Sequence, residues 1–163
     1  MAKGNRRGAE GRSSAPRTLI LGVGNILLQD EGFGVHLVQA MEGLSLPPHV
    51  DLLDGGTAAL DLLNYIADYD RLIVIDAVRG GSEPGAVYRF TPEDITPESK
   101  FITSVHQIDL LDVLGMAEQL GCRPREIIIY GVEPKEVSWG LELTPELAAL
   151  VPKVVELILK EIA

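Results

Sequence analysis

Cysteine is almost missing from this chain. Cys122 stands alone among 163 residues, so neither an intrachain disulfide nor a cysteine cluster for a metal can form. Long apolar runs are missing too. The longest, residues 18–28, is broken by Asn25 and falls well short of the roughly 20 residues that span a bilayer. Nor does a secretory signal open the sequence, because the first sixteen residues, MAKGNRRGAEGRSSAP, are small, polar and basic with no apolar segment behind them. These absences predict a cytoplasmic protein without a membrane span. Basic residues are scarce, 14 against 24 acidic, and five of them crowd into residues 1–17. That segment carries +4, which leaves −14 for the rest of a chain whose net charge is −10. Such a body repels phosphate backbones, which argues against nucleic acid as the main partner. Residues 1–16 read as a basic, flexible tail.

What is present suits one globular domain over residues 17–163, with 46% hydrophobic and 23% charged residues in the whole chain. At this length folding removes roughly 70% of the unfolded surface from water, enough core to need no disulfide or structural metal. RTLILGV (17–23), VDLLDGG (50–56), RLIVIDAV (71–78), GAVYRFT (85–91) and REIIIYGVE (125–133) read as strands. Helical spacing of apolar residues covers about 31–43, 57–69, 104–120 and 144–163. Strands separated by helices imply right-handed crossovers, so the expected fold class is α/β, a three-layer α/β/α sandwich around a mostly parallel sheet of about five strands. The tight return through Gly80, Gly81, Pro84 and Gly85 predicts that the fourth strand pairs antiparallel with the third.

In such sheets ligands sit beyond the carboxyl ends of the strands, and this rule filters the polar residues. His49 precedes a strand and falls at the wrong edge, while His36, inside the first helix, is expected to face solvent. His106 lies in SVHQ, where Ser104 and Gln107 have the spacing of a capping box; the helix dipole there keeps the imidazole neutral, as a ligand or base requires. A purely structural first-turn histidine fits the same pattern. Asp76 ends the most apolar strand, where an unpaired carboxylate is costly and a nearby cation or donor is expected. The loop GNILLQDEG delivers Asp30, the better helix cap, and Glu31, then free to point elsewhere. Glu31, Asp76 and His106 thus share one edge and form an oxygen and nitrogen set suited to a divalent transition ion. Gly55 and Gly56 share that edge, where they serve either a tight turn or close approach of a substrate backbone.

Other chemistries lack their motifs. There is no G-x-x-x-x-G-K-[ST], no G-x-S-x-G and no H-E-x-x-H. Gly22 and Gly24 give only two glycines of a dinucleotide fingerprint, with Leu27 in the third place. Cys122 follows a helix and precedes a strand, at the opposite edge, and reads as a structural thiol.

The segments GVGNILLQDEGFGVH, LLDGGT, LIVIDAV, SVHQIDLLDVL and YGVEP, in this order, closely resemble the nickel-iron hydrogenase maturation endopeptidases. The resemblance runs from Arg17 to the last helix and departs at the extended tail and at Val105, where relatives often carry proline. It implies a single peptidase domain that removes a C-terminal extension from the hydrogenase large-subunit precursor after nickel insertion. Catalysis and nickel contact then fall on Glu31, Asp76 and His106. The implied cofactor is nickel supplied by the precursor rather than permanently bound; a monomer is expected. The chain has no paired D-[ST]-G motif, so a pepsin-like dyad is not inferred, and Asp76 is the carboxylate to act as base. Nickel acts either as a Lewis acid on the scissile carbonyl or as a means of positioning the peptide. The alternative from another class is a non-catalytic metal- or nucleotide-binding α/β module.

Overall fold

The computed structural model describes residues 15–56, 59–96, 98 and 105–163, with the side chains of 59–61 and 105–109 excepted. The expected tail, apart from its last two residues, lies outside this range. Five strands, β1 (Thr18–Val23), β2 (Val50–Gly56), β3 (Arg71–Ala77), β4 (Val87–Phe90) and β5 (Glu126–Val132), form one sheet in the order β2-β1-β3-β5-β4. Thr18, Val50, Arg71 and Glu126 stand in register at its amino edge, and the four strands they open run parallel.

Alternation along the strands splits the core in two, because successive side chains face opposite sides of a pleated sheet. Leu19, Leu21, Leu72, Val74, Ile127 and Ile129 face helices α2 (Ala59–Ile66) and α3 (Val105–Gln119). Ile20, Ile73, Ile75, Ile128 and Tyr130 face α1 (Phe33–Met41) and α4 (Pro145–Ile162). The α/β/α layering therefore follows from strands apolar on both faces, as buried parallel strands must be.

Two expectations need correction. The fourth strand does run antiparallel, yet it pairs with β5, Val87 opposite Val132 and Phe90 opposite Ile129, and not with β3. Six of the seven β5 residues are buried and call for a neighbour on each side, whereas β4, short and half-exposed, suits an edge. The first helix is also preceded by a separate 3-10 turn, Gln29–Gly32, so α1 proper opens at Phe33. Glycine makes this entry possible: a Cβ on Gly34 would lie 2.1 Å from the Ile75 carbonyl oxygen, and Gly24 has φ +136 with the Glu31 carbonyl where its Cβ would stand.

Candidate active site

β1 connects through α1 to β2 on one side, and β2 connects through α2 to β3 on the other. The carboxyl ends of β1 and β3 therefore flank the switch point of the sheet, where doubly wound folds open a crevice. Glu31 lies on the 3-10 turn that follows β1, is half-buried, and its turn packs against β3. Asp76, the penultimate residue of β3, has 1% of its surface exposed. By the pleat it shares a face with Leu72 and Val74, the face that α3 covers.

The third candidate is placed by its helix. α3 ends at Gln119 and its chain returns through Gly121 and Cys122 to β5, which starts at the amino edge. Its fifteen residues span about 22 Å, enough to carry its first turn, with His106, to the carboxyl edge. The His106 side chain, Ser104 and the Gln107 side chain of the expected capping box lie outside the described residues. Among the described side chains no three His, Cys, Asp or Glu gather as a metal site, and Glu31 and Asp76 supply only carboxylate oxygens toward one. Such a donor set suits a divalent ion that brings other ligands with it.

Asp30 departs from its expected role. The residue before α1 is Gly32, and no side chain caps that helix. The buried Asp30 carboxylate instead accepts hydrogen bonds from four donors across the chain: Lys135 N (2.9 Å), Glu136 N (3.0 Å), Thr144 N (2.9 Å) and Thr144 Oγ1 (2.9 Å). Thr144 is the N-cap of α4, so the positive end of that helix also faces this charge. Glu31 is thereby one residue from a fixed anchor. Sequence reasoning missed this link, since the partners of Asp30 are mostly backbone amides more than a hundred residues away.

The remaining groups are accounted for locally. Gly56 adopts φ +48, accepts from Gly24 N and donates to Asp54 Oδ1 at 3.0 Å, while a Cβ on Gly55 would lie 2.7 Å from Leu21 Cδ1. Both glycines therefore serve the turn and its packing. His36 is half-buried, with its Nε2 enclosed and without a hydrogen-bond partner among the described residues, rather than solvent-facing. The His49 carbonyl accepts from Thr18 N at the amino edge, and the thiol of Cys122 packs on the α2/α3 side of the core.

Fold and candidate residues together define a doubly wound α/β protein with two carboxylates, Glu31 and Asp76, where its strands β1 and β3 end, rather than a phosphate-binding loop. The particular family emerges from comparison with known proteins. The family model for hydrogenase maturation protease matches residues 35–161. The chain is 39% identical over 152 residues to the hydrogenase expression/formation protein HupD of Rhizobium leguminosarum bv. viciae, covering 90% of this chain and 74% of that one. It is 39% identical over 145 residues to the hydrogenase 2 maturation protease of Escherichia coli K12, covering 88% of each. The solved structure of the hydrogenase maturating endopeptidase HybD from E. coli superposes with a TM-score of 0.80 at 37% identity, covering 89% of this chain and 91% of that one. The chain belongs to the hydrogenase maturation protease family and is an endopeptidase acting on a peptide bond.

Proposed function

We propose that this endopeptidase removes the C-terminal extension of a nickel-iron hydrogenase large-subunit precursor after nickel has been inserted. The observation that carries the reading is the meeting of the Glu31 turn and buried Asp76 at the switch point, with the first turn of α3 on the same edge. Nickel is cargo of the substrate in this reading. Glu31, Asp76 and His106 contact its open side, so the enzyme engages only a precursor whose metal is in place. Asp76 also acts as the base that activates water toward the scissile carbonyl. Two carboxylates and one imidazole without thiolates hold nickel weakly by themselves, and affinity rises when the precursor supplies the remaining ligands. The reaction is assigned to the cytoplasm and to a monomeric enzyme of one domain.

The test compares cleavage of metal-free, zinc-loaded and nickel-loaded precursor under identical conditions, read as a mass shift of the large subunit. Only the nickel form is expected to turn over. Equal rates for all three would overturn nickel sensing, and absence of cleavage in every case would favour a binding module.

A further inference from the structure

The loop between β5 and α4 is out of character for a solvent-facing segment. It carries Trp139, the single tryptophan of the chain, 82% exposed, and Leu141, 64% exposed. The loop after β1 presents Leu27 at 46% and Ile26 at 40%. These four side chains stand on two segments that are stitched together. Leu28 and Gly140 form a β-bridge, Gly140 N donates to the Leu27 carbonyl at 2.9 Å, and Gln29 N donates to the Gly140 carbonyl at 3.0 Å. Ser138 Oγ reaches Gln29 Oε1, and Asp30 ties Lys135, Glu136 and Thr144 to the same turn. A buried carboxylate with four donors thus braces a loop that holds two large apolar side chains, Trp139 and Leu141, out in solvent among polar neighbours. Leu44, Tyr65 and Leu120 are also exposed, but on separate elements.

We infer that Ile26, Leu27, Trp139 and Leu141 form a preformed docking platform for the folded body of the precursor, beside the peptide held at Glu31 and Asp76. This inference rests on the proposed function and adds to it where the partner sits. Three features select that occupant. The platform is continuous with the site, since Leu28 leads directly into the turn that carries Glu31. An exposed tryptophan on a braced loop is the kind of side chain that anchors an interface centre. The rim carries exposed Glu136 and Glu142 on a body of charge −14, which repels a second copy of this chain and favours an apolar partner face bordered by Lys and Arg.

The experiment uses the lone tryptophan as its own reporter. The full chain is labelled with 5-fluorotryptophan and its single fluorine resonance is followed as nickel-loaded precursor is added. The resonance is expected to shift and broaden. Trp139→Ala and Leu141→Ser are expected to raise KM about tenfold at unchanged kcat and melting temperature. Reversing the rim with Glu136→Lys and Glu142→Lys should raise KM as well. Cleavage of the precursor by wild-type enzyme with an unmoved resonance and an unchanged KM for Trp139→Ala would overturn the platform while leaving the proposed function intact. Failure of the wild-type enzyme to cleave any precursor would overturn both. A resonance that shifts with enzyme concentration alone would assign the patch to self-association and overturn the inference.

Discussion

Asp30 and Asp76 are both buried carboxylates, yet the proposed function gives them opposite tasks. Asp30 spends its oxygens on amides and a hydroxyl of the loop before α4, so its removal strands those donors in the interior. Asp30→Ala is expected to destabilise the fold by about 3 kcal/mol, measured by urea denaturation. In the proposed function Asp76 is the base, and Asp76→Asn keeps its volume, so processing should stop while the unfolding midpoint stays near wild type. His106→Ala should likewise stop processing, and Glu31→Gln should impair it strongly. Wild-type turnover in either of the first two variants would remove that residue from the site. Cys122→Ala should process normally, since that thiol lies at the amino edge. The place of Asp76, buried near the carboxyl end of its strand, was legible in the sequence because it follows four apolar residues. Asp30 was misread because a cap needs only local spacing, whereas its real partners depend on how the last third of the chain folds back.

Among the elements, α1 shows how closely packing controls the site. Its first turn lies against β3 so tightly that Gly34→Ala would push a methyl into the Ile75 carbonyl, one residue from Asp76. A loss near the upper end of the 1–3 kcal/mol typical of overpacking, about 3 kcal/mol, is expected by thermal melts, with processing reduced further as Glu31 and Asp76 move apart. α4 is held at both ends, by Asp30 at its start and by Glu161 near its finish. Glu161 accepts from Arg89, the Tyr130 hydroxyl and Arg71, and these partners, Arg89 foremost, hold its carboxyl down to about 2 from an ordinary 4.5. A lowered pKa in the folded state contributes stability that is present above the ordinary value and lost as pH falls toward 2. The stability advantage of wild type over Glu161→Gln should therefore shrink across that window, by melting temperatures at a series of pH values. Strand directions were legible from link lengths, but the neighbour of β4 was not. A short return fixes orientation, whereas the choice between β3 and β5 depends on which strand needs two partners.

At the scale of the whole molecule the charge is segregated along the sequence, with +4 on residues 1–17 and −14 on the rest. Deleting residues 1–16 should leave the melting temperature nearly unchanged, because that segment offers almost no apolar surface to bury. A drop of several degrees would show the tail docking on the body. The sheet order has a consequence of another kind, for synthesis. β5 joins β3 to β4, yet it is the last strand to leave the ribosome. Until it emerges, β3 offers an open edge and β4 has no partner in the sheet, so the nascent chain carries an unfinished surface for most of its translation. Chains arrested before residue 126 should be degraded by added protease and held by chaperones, whereas chains arrested after α4 has emerged should resist. Folding of this protease is thus a late event, gated by completion of its own carboxyl-terminal third.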